Sequence, residues 1–218
     1  MRRLPSDLTA ALRLPIIAAP MFLVSGPDLV IASRKAGIIG AFPTANCRTL
    51  DDLDRWLTQI VAETDGTAPF AANLIVHRSN NRLQEDAELV AEHRTPLVIA
   101  SVGNPAPIID KIHAYGGKVF ADIASLRHAE KAITAGVDGL ILLTAEAGRQ
   151  TRWANPFAFV RAVRAIFDGP IMMAVGIADA TALKAALVLG ADRAYMGTRF
   201  IATQESTAVA GYKDMLVS

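Results

Sequence analysis

The 218 residues suit one α/β barrel, or on length alone two ordinary domains. Hydrophobic residues make up 52% and the net charge is +1, so a large core can be buried, and no basic stripe with interleaved aromatics marks a nucleic-acid partner. The single cysteine, Cys47, excludes an internal disulfide framework; the N-terminus lacks the unbroken apolar stretch of a secretory signal, and no apolar run nears the ~20 residues that span a membrane, so a cytoplasmic protein is expected.

Short apolar runs alternate with segments of helical period along the whole chain. The predicted strands are 15–21, 37–43, 70–76, 97–102, 118–124, 139–145, 170–177 and 193–200. Most are continuously apolar rather than alternating, which fits parallel strands covered on both faces. Ser25 is read as the N-cap of the first helix, followed by Gly26, Pro27 and Asp28. Helices over 51–62, 83–93 and 107–115 follow, the last stopped by Gly116 and Gly117. Ser125 caps the fifth helix, which ends at Gly136. Asn155 and Pro156 open the sixth, whose stripe is Phe157, Val160, Val163 and Phe167. The seventh starts at Asp179 or Ala180 and ends at Gly190, and the eighth covers 204–216.

Two turns resemble each other: Gly136-Val137-Asp138 and Gly190-Ala191-Asp192. Each stops a helix with a left-handed residue just before a buried strand. Eight similar units without a linker favour one domain, residues 1–218, closed into a (β/α)8 TIM barrel. No G-x-G-x-x-G follows the first strand, so the usual mark of an open dinucleotide-binding sheet is missing.

In such a barrel the loops after the strands build the site. The first strand ends in Ala19, Pro20, Met21 and Phe22, the third gives Asn73, the fourth Ser101 and the fifth Asp122. The loop after the sixth carries Glu146, Gly148, Arg149, Gln150 and Arg152. Ala174 and Gly176 close the seventh, and Gly197 and Thr198 stand at the end of the eighth. Glycines after strands seven and eight can bring several backbone N–H groups to one anion, or simply permit tight turns. His93, His113 and His128 fall on predicted helices, away from this face. His77 follows the third strand and is the one histidine near it. No Cys/His cluster indicates a metal. No motif surrounds Cys47, which reads as a packed thiol rather than a nucleophile.

The segments Pro15-Ile16-Ile17-Ala18-Ala19-Pro20-Met21, Pro69-Phe70-Ala71-Ala72-Asn73-Leu74 and Met196-Gly197-Thr198-Arg199-Phe200-Ile201 resemble the nitronate monooxygenase (2-nitropropane dioxygenase-like) family. Gly176-Ile177-Ala178-Asp179 also fits, and the resemblance runs over nearly the whole chain. It implies an FMN-dependent barrel that oxidises alkyl nitronates with dioxygen, while relatives reduce enoyl thioesters or quinones. It places Ala19, Pro20, Met21, Phe22, Asn73, Asp122, Gly148, Ala174, Gly176, Gly197 and Thr198 at the FMN, with the phosphate on Gly176, Gly197 and Thr198. A homodimer is an assembly it allows.

The chain departs from that pattern in three places. Gln150 stands where the family carries histidine, and Arg149 and Arg152 replace loop glycines. Val175 replaces a second glycine after strand seven. Family members also continue beyond the eighth helix, so the chain is either whole or a fragment lacking that extension. An amide cannot accept a proton at neutral pH. Gln150 therefore suits an already deprotonated nitronate better than a neutral nitroalkane. Arg149 and Arg152 either clamp an anionic substrate group or are solvated loop arginines. Three readings stand open: the nitronate oxidase, an NAD(P)H-dependent enoyl or quinone reductase, and a flavin- or phosphate-binding barrel with little turnover.

Overall fold

A computed structural model describes residues 9–64, 67–145, 154–174 and 176–217. Eight parallel strands close into a barrel in chain order, each pairing with its neighbours and the last with the first. The strands are β1 (Ile16–Ala18), β2 (Ile39–Pro43), β3 (Phe70–Ile75), β4 (Leu97–Ser101), β5 (Lys118–Ile123), β6 (Gly139–Leu143), β7 (Ile171–Ala174) and β8 (Arg193–Met196). The (β/α)8 class read from the sequence is the observed one.

The continuous apolar runs have two destinations. One set of alternate residues, including Ile17, Ile39, Leu97, Ile99, Phe120 and Met172, fills the lumen. The other set, including Phe42, Leu74, Val98, Val119 and Leu140, packs outward under the helices. Each large side chain so buried contributes about 1.5–3 kcal/mol. The lumen is packed small against large: a Cβ on Gly139 would stand 2.5 Å from the Phe120 ring.

The helices are α1 (Pro27–Lys35), α2 (Leu50–Ala62), α3 (Leu83–Glu92), α4 (Ala106–His113), α5 (Leu126–Ala135), α6 (Pro156–Ile166), α7 (Ala180–Leu189), α8 (Thr198–Ile201) and α9 (Ala210–Val217). Thr49 and Asp52 form a reciprocal cap on α2, and Ser125, Asn155 and Asp179 cap α5, α6 and α7 with their side chains. Gly136 and Gly190 end α5 and α7 at φ 93 and 119, the left-handed conformation the sequence demanded. The aspartate of each repeated turn has its own task. Asp138 accepts from the Val119 N–H at 2.9 Å, and Asp192 accepts from the Ile171 N–H at 2.8 Å. Each carboxylate thereby pins the start of the neighbouring strand.

Several expectations need correction. Gly26, not Ser25, is the N-cap of α1; Ser25 is buried and works inside the preceding loop. The strand expected over 193–200 stops at Met196, because Gly197 turns the chain into α8. The helix expected over 204–216 is replaced by a turn and the shorter α9. On α6 the buried residues are Phe159, Val160 and Val163, while Phe157, expected in the buried stripe, is exposed.

Candidate active site

The C-terminal ends of the strands form the open face where such barrels place their chemistry. Three structures meet there: a clamped loop after β1, a polar ledge on β3–β5, and two glycine turns after β7 and β8.

The β1 loop is held by its own serine and by an asparagine from the next unit. The Ser25 hydroxyl donates to the Ala19 carbonyl at 3.3 Å and accepts from the Met21 N–H at 3.0 Å. Asn46, in the 3-10 turn after β2, donates to the Met21 and Ser25 carbonyls and accepts from the Leu23 N–H at 2.8 Å. Thr207 closes the far side, its hydroxyl donating to the Leu23 carbonyl at 2.9 Å. The clamp holds Leu23 at φ 58, a conformation that costs an ordinary residue about 1–2 kcal/mol. The result is a fixed rim on which Ala19 is buried, Pro20 and Met21 are half-buried and Phe22 is 61% exposed.

The ledge is built by strand periodicity. Asn73, Ser101 and Asp122 each stand two residues beyond a lumen residue, namely Ala71, Ile99 and Phe120. They therefore face the lumen at its upper end. Asn73 Nδ2 donates to Ser101 Oγ at 2.6 Å and to the Ile99 carbonyl at 2.9 Å. Ser101 Oγ donates to Asp122 Oδ2 at 2.6 Å. Both amide hydrogens of Asn73 are thus engaged, and its carbonyl oxygen is the group it has left to offer. The other carboxylate oxygen, Asp122 Oδ1, is buried without a partner among the described residues. Burial pushes the Asp122 carboxyl up to about 6, against the lowering effect of the Ser101 bond. Tyr195 on β8 packs against the lumen cluster, and its phenol is raised well above its ordinary value by burial and by the Asp122 charge. It stays a neutral hydroxyl at any working pH.

The two glycine turns lie beyond the ledge. Gly176 sits at φ 34, a conformation that disfavours any side chain, and a Cβ there would meet open space. Gly197 precedes α8, and a Cβ on it would lie 3.5 Å from Met21 Sδ. Thr198 is exposed. Arg199 Nε donates to the Ala178 carbonyl at 2.9 Å and so ties the β8 turn to the β7 loop. Ala174 is buried beneath them, its carbonyl accepting from the Thr144 hydroxyl at 3.2 Å.

Other candidates resolve elsewhere. The His77 ring meets Ser79 Oγ at 2.7 Å and is turned to its own loop. His93 and His113 bond Asp54 and Asp138, each at 2.7 Å, as structural pairs between elements. Cys47 is buried, and burial raises its thiol to about 12, so it is no nucleophile at neutral pH. Gly148, Arg149, Gln150, Arg152 and Val175 lie outside the described residues. Sequence reasoning missed Asn46 and Tyr195, took Ser101 only as a strand end, and took Arg199 only as part of the motif after strand eight. For Ser101 and Tyr195 the available signal was a polar residue at the last inward position of a strand.

This geometry can be set beside known proteins. The family model for nitronate monooxygenase matches residues 6–218. The chain belongs to the nitronate monooxygenase family. Among curated members of the wider group, the chain is 31% identical over 201 residues to a 5-hydroxy-7a-methyl-1-oxo-octahydro-indene-4-carboxyl-CoA dehydrogenase of Rhodococcus jostii, covering 88% of this chain and 53% of that protein. It is 27% identical to the nitronate monooxygenase of Paraburkholderia phytofirmans, over 93% of this chain and 67% of that one. The chain thus spans about half the length of the first of these relatives. Among solved structures, FabK from Thermotoga maritima superposes with a TM-score of 0.86 at 30% identity, over 96% of this chain and 65% of that one. The nitroalkane oxidase of Streptomyces ansochromogenes gives 0.87 at 25%, over 98% and 73%. Membership makes the chain part of an oxidoreductase family whose members act on small molecules. No helix among the described residues is long and apolar enough to cross a membrane.

Proposed function

We propose that this chain is an FMN-dependent oxidoreductase of the cytoplasm that oxidises alkyl nitronates with dioxygen. The observation that carries the proposal is the polar ledge of Asn73, Ser101 and Asp122, on the same strand-end face of the barrel as the Gly176 and Gly197 turns. The residues suit a flavin at both ends. The Asn73 carbonyl, whose amide hydrogens are already engaged, offers an acceptor to the N–H edge of an isoalloxazine ring, with Asp122 standing behind it through Ser101. The open space at Gly176 leaves room for a phosphate against backbone N–H groups, with Gly197 and Thr198 on its other side.

FMN supplies electron transfer between the organic substrate and dioxygen. The chain orients the cofactor and shapes the substrate side. Ala19, Pro20, Met21 and Phe22 would flank the ring, with Ala174 and Gly148 at its other borders. Arg149 and Arg152 are proposed to receive the anionic nitro oxygens. Gln150, at the family's histidine position, would donate a hydrogen bond without taking a proton. A nitronate arrives already deprotonated, so no base is required of the chain.

A second reading is an NAD(P)H-dependent enoyl or quinone reductase. It is favoured by the identities of 31% and 30% to a CoA dehydrogenase and to FabK. The visible spectrum of the purified protein tests the cofactor. Anaerobic addition of propyl nitronate should bleach the flavin bands, and air should restore them. Bleaching by NAD(P)H with turnover of a quinone or an enoyl thioester, and none by the nitronate, overturns the first reading in favour of the second. A bound flavin that neither reagent reduces points to a barrel with little turnover.

A further inference from the structure

We propose that Asp122 is a proton-linked positioning residue for the flavin: through Ser101, its charge sets how strongly the Asn73 carbonyl grips the cofactor ring. The inference rests on the flavin reading above and concerns only this chain's own residues.

The bonds run one way. Asn73 donates to Ser101, and Ser101 donates to Asp122. A carboxylate at the end of such a chain strengthens every donor behind it, because charge-assisted bonds are roughly twice as strong as neutral ones and neighbouring bonds polarise each other. An amide that donates strongly through its nitrogen accepts more strongly at its oxygen. Ionised Asp122 therefore makes Asn73 Oδ1 a better acceptor. Protonated Asp122 removes the charged terminus, and the Asn73 oxygen is weaker.

The surroundings make Asp122 the group that changes state. Its burial, and an Oδ1 that no described residue serves, oppose the charged form. Its proton comes from and returns to water. Of the strands that share the lumen with it, β3 and β4 present the neutral Asn73 and Ser101, and β8 presents the Tyr195 phenol, with Arg193 two residues deeper. Lys118, deeper on β5 itself, pairs with Asp138 at 3.2 Å. Glu146, Arg149 and Arg152 follow β6 and lie outside the described residues.

The test measures FMN dissociation constants between pH 5 and 8 by flavin fluorescence, for the natural chain, Asp122→Asn and Ser101→Ala. The cofactor's own phosphate titrates near pH 6 and contributes to all three proteins, so the reading is the ratio between proteins. The natural chain should bind FMN roughly three- to tenfold tighter than Asp122→Asn at pH 8, and equally at pH 5. Ser101→Ala should remove the same pH-dependent advantage while leaving the Asp122 carboxyl titrating, as read by 13C NMR on the cofactor-free protein. A ratio that stays constant with pH, or full retention of the advantage in Ser101→Ala, overturns the inference. So does an NMR titration of Asp122 at an ordinary carboxylate pH near 4. Failure of every protein to bind FMN at any pH overturns the flavin reading itself and the inference with it. The two failures are told apart by the carboxyl titration, which needs no cofactor.

Discussion

Replacing Asp122 by Asn in the cofactor-free protein should stabilise it, and by an amount that depends on pH. Burial raises the carboxyl from an ordinary value of 3.8 to about 6. Each tenfold change in proton affinity is worth about 1.4 kcal/mol, so keeping Asp122 ionised in the fold costs at most about 3 kcal/mol. The sign follows from the direction. A carboxyl whose folded value is raised leaves stability untouched below the unfolded value near 4. That stability is lost as pH rises through the folded value near 6. An asparagine keeps a carbonyl to accept from Ser101 and carries no charge to bury. The gain from Asp122→Asn is thus expected to be about 2–3 kcal/mol at pH 7.5, roughly half that at pH 5, and near zero at pH 4. Urea unfolding of both proteins at these pH values, followed by circular dichroism, measures it as a difference in midpoint at constant slope. A gain that does not vary with pH, or a loss at pH 7.5, would refute the burial argument.

Four further outcomes follow from the site. Gly197→Leu should lose bound flavin while keeping its circular dichroism, because a side chain there meets Met21 and fills the proposed phosphate turn; flavin content equal to that of the natural chain contradicts the assignment. Asn46→Ala removes three bonds to the β1 loop and should lower stability by about 1–3 kcal/mol, with proteolytic nicking at residues 21–25 as the local readout. Gln150→His should raise turnover of neutral nitroalkane by roughly 10² or more and leave propyl nitronate turnover little changed, measured as oxygen uptake. Val209, Met215 and Val217 are exposed, so light scattering should show self-association that Met215→Glu reduces.

The fold was legible because the barrel demands the same thing eight times. Continuous apolar strands, a glycine at each of two helix ends and capping residues before helices are local requirements, and local patterns carry them. One error fell where a tertiary partner overrode the local pattern, another where a local stop signal was passed over. Ser25 looks like a helix cap, yet its hydroxyl is claimed by Ala19 and Met21 across the loop. The segment after Tyr195 reads as strand as far as residue 200, yet Gly197 ends it. Asn73, Asp122, Gly176 and Gly197 stood out by their place at strand ends, and residues 19–22 by resemblance. The bond that makes a unit of Asn73, Ser101 and Asp122 was not, because it joins residues 28 and 21 positions apart.

That unit also accounts for a feature that stability alone does not favour. A lumen of Ile, Leu, Phe and Met has no need of a carboxylate at its upper end, and an apolar or amide residue at 122 would fold at lower cost. The neighbouring inward residues show the alternative, since Leu143 and Ala174 end β6 and β7 without a charge. Asp122 is instead kept between one donor and an oxygen that no described residue serves. Partly served polar groups of this kind concentrate at functional sites. The stability cost at residue 122 and the tighter grip proposed for Asn73 are then two consequences of one charge: the ionised carboxylate weakens the empty barrel and strengthens the loaded one. A variant that improves the first should impair the second, and finding Asp122→Asn both more stable and equally retentive of flavin at pH 8 would break that link.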